Sequence, residues 1–177
     1  MKRRMFLSLA LASSSLWVTS PLRAAKTTQA RSLIRAAPPF RTAKDVADAV
    51  DRRGARAFLM SLSAEDTEFL YERIGLGGPD WVALAPRLAP GADGADAEGL
   101  SIELAHALPR NAAAVLKVLD PIEGDDRILA TSRVCSIPFI EGVPHNYKIM
   151  ARRALSQVRD PTLQAAKRRC LAVLNQS

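Results

Sequence analysis

The chain has 177 residues, a formal charge of +7, a pI near 10, and a composition that is 48% hydrophobic but only 5% aromatic. Scarce aromatics and abundant alanine argue against a β-sandwich, which wants β-branched and aromatic side chains, and favour helices packed closely on helices. Nine of the 25 basic residues precede Asp45, where the first of the 18 acids stands, so residues 45–177 carry 16 bases against 18 acids; the folded part has no net positive charge of the kind nucleic-acid binding draws on.

Residues 1–25 read as an export signal. Lys2, Arg3 and Arg4 form a positive start, and Met5 to Leu22 supply an apolar run diluted by serines and threonines. Arg3-Arg4-Met5-Phe6-Leu7 resembles the R-R-x-F-L core of the twin-arginine signal family. That resemblance covers the signal alone and implies recognition of Arg3 and Arg4 by the twin-arginine export machinery, a cargo that folds before crossing the membrane, and a periplasmic destination. The alternatives are a general secretory signal and a retained anchor; against the anchor, a stable span wants about 20 strongly apolar residues. Cleavage falls after Ala25 or after Ala30, and no stable span is expected in the mature form.

Residues 26–41 are basic, lack acids and contain Pro38-Pro39, so they read as a linker with little to bury, whose removal should leave stability unchanged. The helical domain is expected over 42–177. Thr42 and Asp45 make a capping box for a helix to Arg53, stopped by Gly54. A short apolar helix or turn follows at 55–62, and Ser63 opens a helix over 64–75. Pro79 starts a helix to Ala89 with Trp81, Leu84, Ala85 and Leu88 inward and a kink or break at Pro86. Further helices are expected at 96–108, at 111–119 with Asn111 as cap, and at 126–134. Residues 136–146 read as an ordered loop in which Ile137, Phe139 and Ile140 need burial. Asn146 then caps a helix over 147–158 with Tyr147, Met150, Ala151, Ala154, Leu155 and Val158 inward, and Asp160-Pro161 opens a last helix to 174. The fold class is therefore all-α, a single compact bundle of about seven or eight short helices with helical-hairpin-like packing.

Chemical motifs are scarce. Glu103-x-x-His106 has the helical spacing that offers a carboxylate and an imidazole to one metal, but a di-iron site needs a second such pair and two more glutamates. No metal site, no catalytic residue and no cofactor is assigned. Cys135 and Cys170, the only cysteines, are expected to form a disulfide in an oxidising compartment.

Residues 133–177 hold eight bases and two acids. Two surfaces are candidates for binding: an apolar groove formed by Trp81 and Phe139, and a basic face carrying Arg152, Arg153, Arg168 and Arg169. Those basic residues equally suit helices docked on an acidic layer or wetting their outer faces. The reading is an exported, non-catalytic binding or interaction module whose partner is an unknown protein or an anionic partner. The alternative is a small periplasmic hydrolase or thiol-dependent enzyme with an unrecognised site, which a concave pocket joining Cys135, His145 and an acid would support.

Overall fold

The structure, a computed structural model, describes residues 39–124 and 126–177. The expected export signal with Arg3 and Arg4, both expected cleavage positions and most of the expected linker lie outside the described residues.

Helix α1, Ala43–Arg53, starts as its sequence dictates. The Thr42 hydroxyl accepts from the Asp45 N–H at 3.2 Å, and the Asp45 carboxylate accepts from the Thr42 N–H at 2.8 Å. Gly54, at a φ of 81°, ends it in a conformation that side chains resist. Helices α2, Ala55–Leu59, and α3, Ala64–Gly75, follow, the latter capped by Ser63. The helix expected over 79–89 is broken into α4, Pro79–Val82, α5, Ala85–Leu88, and a 3-10 turn at Ala89–Gly91. The break falls at Ala83 and Leu84, because Pro86 has no N–H to donate to the Val82 carbonyl and is accommodated instead in the first turn of α5. Trp81, Leu84, Ala85 and Leu88 are all buried, as the pattern requires.

Helix α6 spans Gly94–Ala107, and α7, Ala112–Val118, is capped by the Asn111 side chain, which accepts from the Ala114 N–H at 3.1 Å. The helix expected at 126–134 shrinks to α8, Thr131–Val134. Asp120 captures the chain before it: its carboxylate pairs with Arg127 at 2.7 Å and its N–H donates to the Leu129 carbonyl at 2.8 Å. Helices α9, Tyr147–Gln157, and α10, Gln164–Gln176, close the chain, with a 3-10 turn at Pro161–Leu163 between them. Asn146 is no side-chain cap; it sits at a φ of 58° and makes no capping hydrogen bond. Among the described residues the fold is all-helical, with no strand.

The most extensive helix pair is α3 with α6. Contacts advance in the same direction along both, Tyr71 against Gly99 and Gly75 against Glu103, so the two run parallel and α4 and α5 supply the return. Each helix offers the other a notch. A Cβ on Gly99 would stand 2.9 Å from the Tyr71 ring, and one on Gly75 would meet a Glu103 carboxylate oxygen at 2.0 Å. A tighter approach occurs at Gly91, where a Cβ would lie 2.1 Å from the Arg56 nitrogen. Glycine there lets the 3-10 turn rest on the backbone of α2.

Phe40 corrects the linker boundary. It is 3% exposed, its ring 6.1 Å from Phe58, 5.9 Å from Phe69 and 6.4 Å from Trp81, so it belongs to the core and not to a dispensable tail. At the other end, Cys135 and Cys170 are disulfide-bonded with Cα atoms 5.4 Å apart. Both are fully buried, and the bond ties the segment after α8 to α10. That tether anchors one end of a loop with no helix of its own.

Candidate functional site

Three surface features carry chemistry. The first is an open groove of about 510 Å³ along the α3–α6 seam, lined by Glu68, Tyr71, Glu72, Glu103, His106 and Arg110. Burial pushes the Glu103 carboxyl up to about 7, Arg110 opposes that rise and Glu72 adds to it. Burial, joined by the Arg110 guanidinium, holds His106 below the ordinary imidazole range. The groove thus favours the neutral forms of both. The His106 ring lies 4.6 Å from Phe139, which in turn meets Tyr147 edge-on at 4.8 Å. A carboxyl of this pKa is suited to proton transfer near neutrality. Among the described residues, however, no His, Cys, Asp and Glu side chains gather as a metal site, and both cysteines are spent on the disulfide.

The second feature is a cleft of about 520 Å³ between the start of α1 and the α3–α5 region, with Trp81 on its wall. Arg41, Lys44, Arg73 and Arg87 line it, against the single carboxylate of Asp80. The Arg73 guanidinium stacks over the Trp81 ring at 5.3 Å.

The third is the edge formed by the 136–146 loop and α9. Ile140, Val143, Ile149 and Met150 are 70%, 56%, 65% and 48% exposed. Ile140 was expected to be buried, and so was Met150. Phe139 and Ile137 take the available core space from the same loop, and Met150 falls beside the inward stripe of Tyr147, Ala151 and Leu155. On the outer face of α9, Ile149 lies one helical turn from both Arg152 and Arg153, because residues three and four apart share a face.

The residues singled out from the sequence are distributed among these features. Trp81 and Phe139 form no common groove: Trp81 belongs to the Phe40 cluster and the α1 cleft, Phe139 to the His106–Tyr147 stack. Arg152, Arg153 and Arg168 are exposed. Arg152 is held in place, donating to the Asn175 side-chain oxygen at 2.9 and 2.6 Å. Arg169 is turned inward. Its Nε is buried without a partner, and its charge acts on Glu123, whose carboxylate also accepts from the Ser132 N–H and hydroxyl. His145 is exposed, and Cys135 is bonded to Cys170. Sequence reasoning passed over Arg73, Ile140 and Ile149. Arg73 is one residue in a charged helix, and its stacking on Trp81 depends on tertiary packing.

Comparison with family models, curated proteins and solved structures finds no match for this chain.

Proposed function

We propose that the mature chain is an exported, non-catalytic binding module that docks on an anionic lipid surface through the 136–146 loop and the outer face of α9. The twin-arginine export machinery is its partner in transit and the periplasm its destination. The observation that carries the reading is the clustering of exposed apolar residues: among the described residues, four of the seven large ones lie within residues 140–150, interleaved with Lys148, Arg152 and Arg153.

Aliphatic side chains mixed with bases on one exposed face is the pattern of interfacial membrane binding. Protein hot spots rely instead on Trp, Tyr and Arg anchors seated in pockets, and the exposed part of this edge is Ile, Val and Met. Each Lys or Arg close to an anionic membrane contributes about 1 kcal/mol, and the contribution falls with salt. Among the described residues no helix is long and apolar enough to cross a membrane, which is in keeping with docking and not spanning. The Cys135–Cys170 bond supports a binding role over thiol chemistry, since it leaves no thiolate to pair with His145.

Co-sedimentation of the mature chain with vesicles tests this. It should bind phosphatidylglycerol vesicles and not phosphatidylcholine vesicles, and Arg152→Glu with Arg153→Glu should release it. Equal binding to both lipids, or none to either, would remove the lipid reading and leave an acidic protein as the partner. Export is tested separately by replacing Arg3 and Arg4 with Lys, which should strand the precursor in the cytoplasm.

A further inference from the structure

We infer that the cleft beside Trp81 is a binding site for a compact oxyanion carrying two or more negative charges, such as a phosphate or a polycarboxylate. This site is separate from the α9 edge and does not depend on the lipid-docking reading. Four observations converge on it.

The cleft is concave, and four of its lining residues are cationic against one acid. Two of the four already have partners: Lys44 pairs with Asp48 at 2.6 Å, and Arg87 pairs with Asp51. Arg73 and Arg41 have no carboxylate partner among the described residues, so the lining holds positive charge that the protein does not neutralise.

Arg73 is also pre-positioned: its guanidinium stacks on Trp81, and its Nε is buried with no hydrogen-bond partner among the described residues. The stacking fixes the plane of the guanidinium and limits the freedom it would lose on binding, while its planar fork suits two oxygens of one anion.

The backbone contributes as well. The capping box of α1 uses the Asp45 N–H and leaves the N–H groups of Ala43 and Lys44 without partners among the described residues, and both residues line the cleft. The first turn of a helix favours negative charge because its N–H groups and its dipole point that way. Asp45, which already occupies part of that helix end, is not on the cleft lining, and its carboxylate is engaged with the Thr42 and Arg41 N–H groups. The selectivity expected is for charge and compactness. A monovalent carboxylate would satisfy Arg73 alone, whereas a dianion reaches both Arg73 and the bases across the cleft.

Trp81 is the one tryptophan that remains once residues 1–25 are removed, so its fluorescence reports on this cleft alone. The experiment titrates the mature chain at low ionic strength with inorganic phosphate, citrate and acetate, following Trp81 emission and calorimetric heat. Phosphate or citrate should change the emission saturably, with acetate at least about tenfold weaker. Arg73→Ala should weaken the multivalent anion by about tenfold or more, the usual consequence of losing a charge-assisted hydrogen bond. Because Arg73 packs on Trp81, Lys44→Glu is the companion variant. Lys44 is largely in water, its side chain 80% exposed, so this change should weaken binding several-fold without unfolding the chain. Failure of both phosphate and citrate to bind, affinity for acetate equal to theirs, or affinity untouched by both substitutions would each overturn the assignment. Vesicle binding should be unchanged in both variants, which keeps this outcome distinct from that of the lipid reading.

Discussion

Replacing Glu103 with Gln should make the protein more stable above neutral pH and leave it unchanged in acid. The carboxylate sits over Gly75 and makes no hydrogen bond among the described residues, so ionising it in the folded state costs more than in the unfolded chain. A rise from an ordinary 4.5 to about 7 corresponds to roughly 3.4 kcal/mol at 1.36 kcal/mol per pH unit. The carboxylate keeps substantial contact with water, which screens it, and about 1–2 kcal/mol is the expected share. The sign follows from proton counting. Between about pH 4.5 and 7 the folded state holds a proton that the unfolded state has released, so the stability due to neutral Glu103 is full below this window and is lost as pH rises through it. His106, held low, works in the opposite sense: protonation below the ordinary imidazole range is resisted by the fold, so its contribution is lost as pH falls. Urea unfolding at pH 4 and pH 8, followed by far-UV circular dichroism, reads both limbs. Glu103→Gln should gain about 1–2 kcal/mol at pH 8 and next to nothing at pH 4, below the window. A variant no more stable than the parent at pH 8 would show that Glu103 is hydrated or paired, and the account of the groove would fail.

Three further substitutions test the packing. Phe40→Ala, or deletion through Arg41, should cost about 3–5 kcal/mol by opening the cluster with Phe58, Phe69 and Trp81, read as a fall in melting temperature. An unchanged melting temperature would return Phe40 to the linker. Cys135→Ser should cost about 3–4 kcal/mol, given the 35-residue separation of the bonded cysteines, and added reductant should destabilise the parent similarly. Gly91→Ala should cost about 3 kcal/mol or more in chemical denaturation, because its new Cβ meets backbone atoms of Ala55 and Arg56 and not a movable side chain.

Much of the fold was legible because local signals and burial agree. The Thr42–Asp45 box, the Ser63 and Asn111 caps and the Trp81, Leu84, Leu88 stripe stand in the structure where the pattern puts them. Long-range effects were not legible. Phe40 follows a proline pair in a basic tail, so only the aromatic cluster it joins reveals its burial. The α8 region lost its predicted first half to Asp120, whose pairing with Arg127 is a tertiary choice open to several nearby carboxylates. At the surface, composition pointed to a basic C-terminal face, and Arg152, Arg153 and Arg168 are exposed. Arg169 has the same composition but faces Glu123, a distinction set by helix rotation against α8. The apolar half of the edge was missed because Ile140 was assigned to the core that Ile137 and Phe139 fill.

Hydrogen exchange of the mature chain, with and without phosphatidylglycerol vesicles, tests the docking surface most directly. Slowed exchange is expected, confined to the 136–146 loop and the first turns of α9, reversed by high salt and absent in a chain carrying Ile140→Ser and Ile149→Ser. Protection elsewhere, or vesicle binding that leaves this segment exchanging freely, would contradict it.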